Sequence, residues 1–163
     1  MEWITIVVQW LHVFLGIFWF GSTLYLDFVV IPSILGLPAE QQPAVSKRIS
    51  QQSVRVILPV ATLTILIGLI RGTVFGPVRS FGFLFGTAYG ITFFTSFLAA
   101  LATYLWGLFV LSREAKKLEV LPTDEKSKVV YNATLARVRI MGQLELLGFL
   151  VVFTCMILMR FGY

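Results

Sequence analysis

Four long apolar segments decide what this chain can fold into. They run over about Trp3–Pro32, Val54–Gly76, Phe83–Leu111 and Ile140–Arg160. Each meets the roughly 20 residues that a helix needs to cross the hydrocarbon of a bilayer. Together they occupy most of the 163 residues and leave no room for a soluble domain. The composition agrees: 58% of residues are hydrophobic and 13% charged, where a soluble domain has about 45–50% and about 25%. Backbone polar groups in lipid must be paired within the chain, and the period-two alternation of barrel strands is missing, so helices are the solution. The expected fold is all-α, one polytopic membrane domain over residues 1–163, built as a four-transmembrane-helix bundle. The N-terminal MEWIT has no basic region and the first run is too long for a signal segment, so no cleaved leader is expected.

Lysines and arginines orient the bundle. Lys47, Arg48 and Arg55 follow the first segment, and Arg113, Lys116, Lys117, Lys126, Lys128, Arg137 and Arg139 surround the third connection. Only Arg71, Arg79 and Arg160 stand at the other end. Ten against three predicts both larger loops in the cytoplasm and both termini outside, in a bacterial or archaeal cytoplasmic membrane. The net charge of +5 is thus a topology signal, and nucleic acid is not an expected partner. The expected partners are the lipid bilayer and, through Phe-rich outer faces, a second copy of the chain or a membrane redox protein. The lone cysteine, Cys155, lies in the fourth segment, which excludes an intrachain disulfide.

The connections carry breakers. Pro32, Pro38 and Pro43 are expected to end the first helix, and AEQQPAVSKRISQQSV reads as an amphipathic segment on the membrane surface. FGPVRSFGFLFG predicts a short turn between the second and third helices. Arg113–Lys128 mixes both signs of charge and reads as a solvated loop with helical extensions. PTDEK suggests Thr123 as the cap of the fourth helix, with Lys126 where a capping box would place Glu. NAT at 132–134 matches a glycosylation sequon, but the expected topology puts it in the cytoplasm.

The chain's only histidine lies in QWLHVFLGIFWFGSTLYLDF, within a run uncharged from Trp3 to Leu26. Thr5, Gln9, His12, Gly16, Trp19, Thr23 and Asp27 recur there at spacings of three and four. They share a sector of about 80° at the α-helical repeat. Membrane helices turn small and polar residues toward one another, so His12 should face the bundle. Corresponding stripes are Tyr89, Thr92, Ser96, Thr103 and Gly107 on the third helix and Met141, Glu145, Gly148, Val152, Met156 and Met159 on the fourth.

Depth divides these residues into two clusters. His12 lies roughly 14 Å below Trp3 at ~1.5 Å per residue. Gly68, Arg71, Tyr89, Phe93, Val152 and Met156 belong to the same outer layer. Asp27, Arg55, Arg139 and Glu145 gather at the inner end, where a structural ion-pair network or a proton-entry site would account for them. The outer set holds the parts of a haem site: an axial imidazole in His12, small residues in Gly16 and Gly68, and a propionate partner in Arg71. Met156 or Tyr89 would serve the sixth position. The alternative is copper or small-solute handling across the membrane through this cluster, copper drawing on His12, Met156, Met159 and Cys155. A third reading makes His12 a packing element of a non-catalytic accessory subunit.

LHVFLGIFWFGSTLYL, with His12, Trp19, Gly21 and Tyr25 in an H-x6-W-x-G-x3-Y arrangement, resembles the first helix of the copper-resistance protein D family. It is similar there also to the membrane protoporphyrinogen oxidase family and the membrane domain of cytochrome-linked urate oxidase. DFVVIPSILGLP and LTILIGLIRG resemble the same group. The resemblance implies four or more helices, an association with haem or copper, and a functional role for His12. The chain departs from these families in having no lysine within a later membrane helix and no second histidine, which excludes a bis-histidine haem inside one protomer.

Overall fold

Residues 2–38, 40–120 and 125–163 are described by the computed structural model. Helix α1 runs over Glu2–Leu35, with a π-helical turn at Leu26–Val30. Helix α2 is Gln42–Thr73 and α3 is the short Phe81–Gly86. Helix α4 consists of Ala88–Leu105, a second π turn at Trp106–Leu111, and Ser112–Val120. Helix α5 is Glu125–Arg160. The described residues contain no strand. The four long helices form a ring in which α1 packs on α2 and α4 on α5 most extensively, while α2–α4 and α1–α5 contacts close it. The protein is an all-helical, four-span membrane bundle.

The helices outrun their apolar segments. At ~1.5 Å per residue, the 36 residues of α5 reach about 54 Å, against roughly 30 Å of hydrocarbon. The surplus lies at the basic end, where Leu118, Tyr131, Leu135 and Val138 form a buried cluster. Tyr131 also shares a 3.0 Å hydrogen bond with Ser46 of α2. Hydropathy delimits only the part of a helix that meets lipid, and these amphipathic turns continue because they bury one face in a polar setting.

The boundaries correct the sequence reading in three places. Helix α1 passes Pro32 and ends at Leu35. In its π turn the N–H of Ile31 reaches back five residues to the Leu26 carbonyl, so the ladder has already shifted where Pro32 lacks a donor. The expected surface segment is instead the first part of α2, with Pro43 in its first turn, a position where the missing N–H costs nothing. Its buried Gln42 donates from Nε2 to the Leu37 carbonyl at 2.8 Å and satisfies a group beyond the end of α1. The third span starts at Ala88, because extended Thr87 caps it by accepting from Gly90 N–H, and Ser80 caps α3 in the same way. The Thr123 cap and the Lys126 side chain lie outside the described residues. Thr134 of the NAT match is buried in α5, where it donates to the Val130 carbonyl.

Side chains enter the seams of the ring over glycines. A Cβ on Gly148 would meet the Thr103 hydroxyl, and one on Gly72 would meet the Phe93 ring. Small residues let membrane helices approach this closely, and packing drives their association where lipid removes the hydrophobic difference. Trp19, 4% exposed, is the centre of the packing, edge-on to Phe149 at 4.8 Å and to Tyr104 at 6.4 Å.

A histidine-bearing candidate functional site

Two cavities lie along the bundle axis, and Trp19 lines both. The outer one, toward the chain termini, has a volume of about 570 Å³, within the roughly 300–1,000 Å³ of small-molecule sites. His12 and Gly16 of α1, Gly68 and Arg71 of α2, Tyr89 of α4 and Met156 of α5 all line it. The stripes on three faces and the depth argument therefore converge on a single space.

The imidazole is held on one side only. His12 Nδ1 lies 3.0 Å from the carbonyl oxygen of Thr64. A carbonyl can only accept, so Nδ1 carries the hydrogen and Nε2 of the neutral ring keeps its lone pair. Among the described residues the ring's one hydrogen bond is this contact through Nδ1, and Nε2 is left without one. Gly68 makes this contact reachable. In a helix the Thr64 carbonyl points along the axis toward residue 68, four positions on. A Cβ on Gly68 would lie 2.6 Å from His12 Cε1 and 3.1 Å from Nδ1. The space assigned to a ligand at Gly68 is thus filled by the imidazole, which corrects the role of that glycine. Gly16 is looser, since a Cβ there would stand 3.8 Å from the Thr64 methyl.

The cavity changes character along its length. Arg71 donates from a terminal guanidinium nitrogen to the Phe75 carbonyl at 3.1 Å, while its buried Nε has no partner. Arg160, which the sequence reading used only for topology, lines the same end. Its position in the last turn of α5, at the depth of Arg71, was the available signal. Below them Trp19, Phe93, Phe97, Phe149 and Phe153 make an aromatic middle. Such a space suits an amphiphilic ligand with an anionic edge, an apolar body and a Lewis-acid centre able to take a nitrogen lone pair.

The donor set for copper is thinner than the sequence suggested. Met156 and Met159 line the cavity with His12, but the buried Cys155 does not. Among the described residues no three His, Cys, Asp or Glu side chains are grouped as metal ligands.

The inner cavity, about 340 Å³, opens toward the basic end and contains Asp27 and Glu145. These carboxyl groups are 6% and 7% exposed. Asp27, inside the π turn of α1, packs against Gly142 of α5. Glu145 lies over Gly107, inside the π turn of α4, its Oε1 3.0 Å from where a Cβ would stand. The expected pairing with Arg55 or Arg139 does not form. Both arginines are exposed, and among the described residues the only ion pair joins Lys117 to Glu114. The pairing is absent because long arginine side chains keep their heads in water where the interface allows it. Accordingly, Glu145→Gln should change stability by less than about 1 kcal/mol, against the ~3–5 kcal/mol lost when a buried pair is broken. Thermal unfolding in detergent distinguishes the two, and the larger loss would reveal a cation partner.

The fold and this cavity define a small four-helix integral membrane protein with one imidazole presented to an internal space. No protein-family model, curated protein or solved structure matches the chain.

Proposed function

We propose that the chain is a haem b-binding membrane protein of electron transfer or porphyrin-type redox chemistry, with His12 as axial ligand. The free Nε2 of His12 carries this reading: its opposite nitrogen donates to a backbone carbonyl at the wall of a ligand-sized cavity. Metal-bound histidines are ordinarily held in that way. The orphaned Arg71 Nε, with Arg160, would receive the propionates, and the aromatic middle would exclude water from the macrocycle. Met156 and Tyr89 are the candidates for the sixth position. A bound haem would supply one-electron redox chemistry. The resemblance of the first helix to haem- and copper-associated membrane families supports the same assignment. Electrons would arrive from a membrane redox partner or a second copy, which the apolar outer faces suit.

The spectrum of detergent-purified protein, expressed with haem supplied, tests this. A Soret band is expected, weakened by Arg71→Ala. A colourless preparation that binds copper favours the metal alternative, in which His12 acts with Met156 and Met159. A colourless and metal-free one makes the protein an accessory subunit.

Both termini face outside a bacterial or archaeal cytoplasmic membrane in this proposal, on the ten-to-three count of cations. With Cys155 replaced, a cysteine at position 162 should label from outside and one at position 117 should not. Labelling of 117 from outside would reverse the orientation.

A further inference from the structure

We propose that Asp27 and Glu145 form a proton-binding carboxyl pair in the inner cavity. They belong to different helices, α1 and α5, yet Asp27 packs against Gly142, three residues before Glu145 on α5, and both line the same cavity. Asp27 is more than nine-tenths buried and lines the cavity, and its Oδ2 is fully enclosed with no hydrogen-bond partner. A carboxylate left ionised and unpaired out of water costs several kcal/mol. Two that share one enclosed cavity disfavour each other's ionisation unless something positive joins them.

The backbone around the pair is specialised too. The chain's two π-helical turns among the described residues are Leu26–Val30, which carries Asp27, and Trp106–Leu111, which carries the glycine under Glu145. Such turns insert a residue into the helical ladder and concentrate at functional sites. Here they set one acid, and the seat of the other, at the same level of the bundle.

The positive species is a proton. A hard metal cation takes six to eight oxygen ligands, whereas each carboxyl group here is packed on a helix backbone, over Gly142 and Gly107, and no third acid joins them among the described residues. The surrounding charged and titratable groups supply no substitute. Helix α4 presents Tyr104 and, at the cavity mouth, the exposed Lys116. Of the charged residues on α5 only Glu145 itself lines the cavity, the exposed Arg139 lying outside that lining, and α2 lines the space with serine hydroxyls and apolar groups. Those hydroxyls give the proton a polar way in from the basic end. The inference does not depend on what occupies the outer cavity.

Infrared spectra of the purified full-length protein at neutral pH test it. The wild type should show the C=O stretch of a protonated carboxylic acid, shifted down in heavy water and unmoved by added sodium or calcium. The Asp27→Asn, Glu145→Gln double variant should lose the band. If that variant does not fold, carbon-13 labelling of aspartate and glutamate carboxyls in the wild type should shift the band instead. A wild type without the band, a band that survives in the folded double variant, or one that sodium or calcium removes would overturn the proposal.

Discussion

Replacing His12 with alanine should abolish the Soret band while leaving the bundle folded. The two effects separate because the imidazole gives the fold one hydrogen bond, to Thr64, and its packing over Gly68. Interhelical hydrogen bonds in membranes contribute about 0.6 kcal/mol on average and ~1.7 kcal/mol at most. Loss of the only imidazole the chain can offer is a larger event, since His12 is its single histidine. Bound haem should fall by well over tenfold, a step of about 1.4 kcal/mol. His12→Gly with imidazole added should restore the band, because the small molecule can enter the space the side chain left. A variant that keeps its colour, or loses only stability, would show that His12 packs and does not ligate.

Gly68→Ala should be almost as damaging, by a different route. The added methyl would lie 2.6 Å from the imidazole, so ring or helix must move. Moving the ring removes it from the Thr64 carbonyl, which loses the tautomer that leaves Nε2 free. Moving the helix opens the α1–α2 seam. Overpacking typically costs about 1–3 kcal/mol, and disturbing the group that orients a metal ligand about 10–100-fold in affinity. A lower melting temperature and a weakened Soret band should therefore appear together. Gly16→Ala is the control, since its methyl would meet Thr64 at an ordinary 3.8 Å. It should leave the melting temperature unchanged, and a fall in the Soret band alone would locate the macrocycle against Gly16. If Gly68→Ala proves as mild as Gly16→Ala, the close approach of imidazole and helix is not what holds His12.

The inward stripes of α1, α4 and α5 were legible because two forces set them. Lipid excludes polar groups, and the helical repeat places Thr5, His12, Gly16, Trp19, Thr23 and Asp27 on one side. Of that stripe only Gln9 is exposed at the surface, although it also borders the cavity. The ends of helices were not legible from hydropathy, since the turns beyond the membrane carry charged residues on one face and Leu118, Tyr131, Leu135 and Val138 on the other.

What the sequence determined by itself was therefore the number of spans, the faces that α1, α4 and α5 turn inward, and the layer in which His12, Arg71, Tyr89 and Met156 meet. Local periodicity and the absence of water are enough for that. The tertiary structure alone decided partners. That His12 reaches the Thr64 carbonyl depends on how α1 docks on Gly68, and whether Arg55 meets Glu145 depends on how α2 is rotated in the ring. The two π turns follow the same logic. At these turns Asp27 packs against Gly142 of α5 and Gly107 lies beneath Glu145, contacts between helices far apart in sequence.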